Sequence, residues 1–268
     1  MRWIVFCALI SAPAQADPEL GRRLFHDPAL SANGAMSCAD CHDPERGFTS
    51  GAVGGRTPPP LHVATQLSVW GWDGRHESLR AAILAPLTDP REMANPDADA
   101  AARRVGLVDA DALADAIGAY LATLDSPPPT PEGRGAELFR SAGCADCHSG
   151  PLLTDEGFHN LGLSAFGEPS QDLGRMRVTG DPADAGRFRT PSLRHVAQTA
   201  PYMHTGHFRT LEGVVRFYAQ GGGKVWARNA AEADRPMYPE AARLDPRIRP
   251  LDLSEDDIAA LVAFLKQL

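Results

Sequence analysis

The pentapeptide Cys-Ala-Asp-Cys-His occurs twice in this 268-residue chain, as residues 38–42 and 144–148. Two thiols separated by two residues stand about one helical turn apart, which suits the two vinyl groups along one porphyrin edge. The histidine directly after the second cysteine then falls beneath the iron as its proximal ligand. A single copy arises by chance in on the order of one chain in several hundred at average residue frequencies. Two identical copies therefore point to two covalently bound haem c groups, attached through Cys38 and Cys41 with His42, and through Cys144 and Cys147 with His148. Other uses of the pattern fit less well. A zinc ribbon also pairs two Cys-x-x-Cys units, but roughly a hundred residues separate Cys41 from Cys144, far beyond ribbon spacing. A thioredoxin-like redox pair needs a βαβ setting, and the chain shows no convincing strand alternation. Structural disulfides have no need of a histidine after each pair.

The expected compartment agrees with covalent haem. Residues 1–16, MRWIVFCALISAPAQA, read as a secretory signal peptide: Arg2 is the positive n-region, Trp3 to Ile10 the apolar stretch, and Ala14-Gln15-Ala16 the small-residue cleavage site. Cleavage would remove Cys7, start the mature chain near Asp17 and place the protein in the periplasm, where disulfides are also permissible. The net charge is −8, which argues against a nucleic-acid partner held by phosphate neutralisation. No run of about 18 apolar residues is present, so the sequence predicts no membrane span. The 25 glycines and 23 prolines imply short elements joined by long loops.

The chain is built twice on one plan. PELGRRLF (residues 18–25) precedes the first CADCH, and PEGRGAELF (131–139) precedes the second. Each half closes on an amphipathic stretch. In 109–124 the apolar positions Leu113, Ile117, Leu121 and Leu124 fall at helical spacing, and in 254–268 Ile258, Leu261, Val262, Leu265 and Leu268 do the same. Ser254 is the expected N-cap of the latter, followed by acids in its first turn. Between the halves, Asp125 to Pro131 carries four prolines and cannot continue a helix. The fold should be mostly α.

Longer motifs surround the haem sites. Residues 24–48 read LFHDPALSANGAMSCADCHDPERGF, followed by Arg56-Thr57-Pro58, Trp72-Asp73-Gly74-Arg75 and Asp89-Pro90-Arg91-Glu92-Met93. The second half adds FRTPSLR (188–194) and TAPYMHTG (199–206). In this order, over essentially the whole mature chain, they resemble the bacterial dihaem cytochrome c peroxidase and MauG superfamily. The resemblance implies two cytochrome-c-like haem domains with long loops, a peroxidatic N-terminal domain over 17–125 and an electron-transfer domain over 131–268. It also implies that Trp72 lies between the haems, that Glu92 lines the peroxide pocket, and that a calcium ion bridges the domains near Thr57, Thr199 and Pro201. The chain departs from the family pattern in three places. Ala82 stands where many members carry a pocket glutamine, and Thr57 replaces the usual calcium-binding asparagine. No histidine occurs between Asp43 and Leu61 to cap the first haem, and His62 falls at a different motif position.

Each assignment competes with an ordinary structural role. Peroxide cleavage needs a group that moves a proton between the two oxygens, and Glu92 suits that task if an apolar pocket raises its pKa; otherwise it is a solvated loop carboxylate. Trp72 would offer an oxidisable indole between the irons, with Trp70 and Trp226 as competitors and core packing as the alternative. For the sixth ligand of the second haem, Met176, Met203 and Met237 are chemically suitable, although methionines usually fill core gaps. Aligning TLEGVVRFY (210–218) on the family puts Tyr218 at the ligand position, as in MauG-like members. A phenolate favours oxidised iron and Met favours reduced iron. His26, His76, His159, His195, His204 and His207 have no strong claim on sequence grounds; His204, in the APYMH stretch, reads equally as support for a haem pocket and as a hydrogen-bonded structural residue.

The sequence thus predicts a periplasmic dihaem c-type oxidoreductase that reacts with hydrogen peroxide, closer to the MauG-like branch than to the ordinary peroxidases. Its partners would be an electron-donor cytochrome c or copper protein, or a protein substrate. A dihaem electron carrier without catalysis is the alternative, and a coordinately saturated first haem would favour it.

Overall fold

The computed structural model describes residues 17–52 and 54–268. The expected signal peptide, with Cys7, lies outside the described residues. The first half contains helices α1 (Pro18–Phe25), α2 (Cys38–Cys41), α3 (Leu79–Thr88), α4 (Ala98–Arg104) and α5 (Ala110–Ala122). The second contains α6 (Arg134–Ser141), α7 (Met176–Thr179), α8 (Leu211–Ala219), α9 (Ala230–Ala233), α10 (Tyr238–Ala242) and α11 (Glu255–Leu265). Among the described residues, the one departure from the expected helical class is a small antiparallel pair, β1 (Phe158–Asn160) with β2 (Arg187–Arg189). Three-residue strands are too short to show alternation. Among the described residues no helix is long and apolar enough to cross a membrane.

The internal repeat has a packing cause. In each half the opening helix crosses the closing one at a glycine. A Cβ on Gly21 would lie 1.9 Å from Ala116 O on α5, and one on Gly135 would lie 2.4 Å from Ala260 O on α11. No side chain fits at either crossing, so the backbones meet directly. Around the first crossing Leu24, Phe25, Leu113, Ile117 and Leu121 bury a core with Leu30, Leu87 and Met93. Around the second, Phe139, Ile258, Leu261, Phe264 and Leu265 do so with Val196, Leu211 and Val215. The predicted closing helices start where their caps direct: Asp109 accepts from Ala112 N, and Ser254 and Asp257 form a capping box.

Polar contacts tie the halves together. Arg56 donates to Asp73 at 2.8 Å and reaches across to both oxygens of Asp172 at 2.6 and 2.8 Å. Arg175 donates to Gly74 O at 2.9 Å, and Arg189 N donates to Trp72 O at 2.8 Å. The Asp73 side chain is 1% exposed. Burial alone would raise its pKa, but the Arg75 and Arg56 guanidinia outweigh that and hold it at about 2. Because the folded value lies below the unfolded one, its stabilisation is complete above the ordinary aspartate range and is lost as pH falls through about 2. Arg56→Met, which takes the bidentate partner from buried Asp172 and leaves Asp73 to Arg75 alone, should cost about 3–5 kcal/mol in urea unfolding of the haem-loaded protein. A loss under ~1 kcal/mol would rank this clamp with exposed surface pairs.

Candidate functional site

The two CADCH segments use the same local construction. Cys38 to Cys41 forms the single turn of α2, and Cys144 to Asp146 forms a 3-10 turn. His42 Nδ1 lies 3.0 Å from Phe48 O, and His148 Nδ1 lies 3.1 Å from Leu153 O. Both acceptor residues, Phe48 (φ 58°) and Leu153 (φ 52°), adopt the left-handed conformation. This is costly for a non-glycine residue, and here it turns a carbonyl toward the ring. Nδ1 is then the donor nitrogen, and Nε2 has no protein partner among the described residues. That tautomer is the one an iron-ligating histidine needs. Burial lowers both imidazole pKa values, keeping the rings neutral for metal.

The four cysteines of the CADCH segments form no disulfide among the described residues. Burial pushes Cys38 up to about 12 and Cys144 and Cys147 to about 11, and it raises Cys41 as well. A redox-active pair needs a depressed thiol pKa, so this environment is opposite to a thioredoxin-like site. It suits sulfurs that lie against an apolar macrocycle.

The second segment opens on a large cavity lined by Cys144, Cys147, His148 and Tyr218 among apolar side chains such as Leu161 and Leu261. Tyr218 reaches it from α8, which Thr210 caps through Gly213 N. Burial, reinforced by the nearby Cys144 and Cys147 sulfurs, pushes its phenol well above the ordinary range. Its hydroxyl has no hydrogen-bond partner among the described residues. Of the three methionines, Met203 lines the same cavity, whereas Met176 and Met237 pack against Phe166 and Ala241. The donor set of neutral imidazole, free phenol and paired thiols around an apolar cavity fits a haem c.

Glu92 follows α3 in a turn closed by Glu92 N donating to Asp89 O at 3.0 Å. Its carboxylate is half-buried, has no hydrogen-bond partner among the described residues, and acts electrostatically on Cys41. Burial, with Asp89, raises its pKa against the opposing pull of Arg91 and Arg75.

Trp72 is buried between the halves, its Nε1 donating to Thr57 O at 2.7 Å. Its competitors are placed differently: Trp70 donates to Ala64 O, and Trp226 is 69% exposed. Thr57, Thr199 and Pro201 line the same cavity as Trp72. The Thr57 hydroxyl donates to Met203 O at 3.0 Å, and the Thr199 hydroxyl to Val196 O at 3.2 Å. His62 stacks on His195 with ring centroids 4.1 Å apart and meets Phe48 edge-on. His204 stacks on Phe188 at 3.5 Å. Arg56 stands in one of the motifs, but its pairing with Asp172 was not signalled by it, and no motif signalled a cluster of Asp155, His159, Asp245 and Arg247 at the second cavity. Arg56 and Asp172 stand 116 residues apart in sequence, and His159 and Arg247 stand 88 apart.

The family described as Di-haem cytochrome c peroxidase matches residues 15–110, and the Cytochrome c family matches 133–268. The methylamine utilization protein MauG of Methylorubrum extorquens is 36% identical over 93% of this chain and 77% of its own. The cytochrome-c peroxidase IdrP2 of Denitromonas iodatirespirans is 31% identical over 93% of this chain and 80% of its own. Among solved structures, a MauG-like protein associated with microbial copper homeostasis superposes with a TM-score of 0.78 at 29% identity, covering 93% of this chain and 88% of that one.

Proposed function

The chain belongs to the di-haem cytochrome c peroxidase and MauG family, and from that premise we propose a periplasmic, MauG-like enzyme that reduces hydrogen peroxide. Its electrons would come from a donor cytochrome c or copper protein, or from a side chain of a partner protein. The observation that carries this reading is Glu92: a half-buried carboxylate beside the first haem segment, without a hydrogen-bond partner and with a raised pKa.

A haem attached at Cys38 and Cys41 would supply the iron chemistry for peroxide reduction. The residues around it have separable tasks. Phe48 O fixes the His42 ring so that Nε2 is the ligating atom. Glu92 takes the proton from one peroxide oxygen and delivers it to the other, assisting O–O cleavage. Trp72 sits between the halves with its N–H held by Thr57 O, so the indole can lose an electron without losing its proton to a base. Tyr218 and His148, which line one cavity with Cys144 and Cys147, would hold the second haem attached at those two cysteines. A calcium ion near Thr57 would rely on the carbonyls of Thr199 and Pro201, which accept no hydrogen bond among the described residues. With neutral oxygens alone, such a site would hold a hard dication loosely.

Two measurements test this reading together. Protein produced with a haem c maturation system should show the mass of two haems that survive acid–acetone extraction. It should also consume peroxide when supplied with a reduced donor. One haem, or extractable haem, would overturn the dihaem assignment. Two haems without peroxide consumption would make the chain an electron carrier.

A further inference from the structure

His159 lies on β1 at the wall of the second cavity, in a setting unlike the other buried histidines. Its Nε2 lies 3.0 Å from Asp155 Oδ2. Its Nδ1 lies 2.8 Å from Asp245 Oδ2, an acceptor, and 2.8 Å from Arg247 Nη2, a donor. The ring can therefore exist in two satisfied states. Protonated, it donates from Nδ1 to Asp245 and from Nε2 to Asp155. Neutral, it keeps the Nε2–H on Asp155 and accepts from Arg247 at Nδ1. Neither state leaves a buried nitrogen unpaired, so the exchange carries no orphaning penalty. By contrast, His62 Nδ1 and His204 Nε2 are buried without a partner, and burial pushes both pKa values down to about 4.

The position connects this exchange with the redox centre. The Cys147 sulfur, an Asp155 oxygen and a His159 nitrogen all lie within 4.8 Å of one another. That sulfur is one of the two expected to carry the second haem. The His159 side chain is 13% exposed and that of Asp155 26%, which gives the inner nitrogen a short route to water. The charged groups facing the ring are Asp155 from the preceding loop and Asp245 and Arg247 from the segment after α10. His148 of the CADCH segment is near enough to feel the charge of the His159 ring. A negative charge added at the cavity favours the imidazolium, and its removal favours the neutral ring.

We propose that His159 is a proton-exchange site coupled to the second haem, taking up one proton when that haem gains an electron and releasing it when the electron leaves. The proposal rests on the placement of that haem at Cys144, Cys147 and His148. The electron comes from the donor protein or a titrating reductant and the proton from solvent, and no covalent bond changes. His159 acts as a positioning and proton-holding group, not as a ligand.

The test is a spectroelectrochemical titration of the second haem between pH 5 and 9, after the two-haem mass of each protein has been confirmed. That mass tests the haem placement separately. With one proton taken up per electron, reduction becomes tenfold less favourable per pH unit, about 59 mV for a one-electron couple. The unmodified protein should show a sloping potential across part of this range, approaching that limit. His159→Gln should flatten the slope. Asp245→Asn, which removes the acceptor of the protonated state and keeps the Arg247 donor, should move the sloping region to lower pH. A pH-independent potential in the unmodified protein, an unchanged slope in His159→Gln, or an unmoved region in Asp245→Asn would each overturn the proposal.

Discussion

Glu92→Gln should slow the reaction with peroxide by ~10²-fold or more while leaving both haems bound. The amide keeps the shape of the side chain and loses the ability to accept a proton. Its place in the fold makes the change selective, because no described hydrogen bond depends on the carboxylate. The unmodified enzyme should also lose rate toward acid pH, as the carboxylate that must accept the proton becomes protonated. Burial and Asp89 raise its pKa, so that limb should lie above the ordinary glutamate range, and it should be absent in the variant. Stopped-flow mixing with peroxide across the acid range reads both effects. An unchanged rate would place the proton carrier elsewhere and make Glu92 a structural turn residue.

Tyr218→Met should raise the potential of the second haem and shorten the lifetime of the peroxide-oxidised protein. The phenol enters the cavity from α8 without a protein partner, and an anionic oxygen ligand favours oxidised iron, whereas a thioether favours reduced iron. The phenol's raised pKa means that, without a cation, the ring stays neutral in this apolar site. Ligation is what would stabilise the phenolate. Met203 lines the same cavity and is the internal control. If Met203→Leu shifted the potential and Tyr218→Met did not, the methionine would be the ligand.

Local signals made much of this protein legible. The CADCH repeats and the amphipathic stretches at 109–124 and 254–268 specified a mostly helical chain, because cap residues and apolar spacing act within a few residues of each other. The glycines of the opening helices were visible in PELGRRLF and PEGRGAELF. Their cause, direct backbone contact at Ala116 and Ala260, belongs to the packed structure. The β1–β2 pair escaped because three residues cannot display a period. The clamp of Arg56, Asp73 and Asp172 escaped because its members come from distant loops and have no spacing rule. Thr57 was legible as a departure from the family pattern, but not the way its hydroxyl turns to the Met203 carbonyl while its own carbonyl holds Trp72. His159 had no sequence signature at all. Its significance comes from Asp155, Asp245 and Arg247 converging on one ring.

The most direct test of the account is to mix the fully oxidised protein with one equivalent of hydrogen peroxide, without reductant, and to follow the haem spectrum. No histidine lies between Asp43 and Leu61 to cap the first haem, and Tyr218 shares the second cavity with His148. An immediate change at both haems of the oxidised protein is the expected result. No reaction until one haem has been reduced, together with a Met-ligated spectrum of the oxidised second haem, would contradict it.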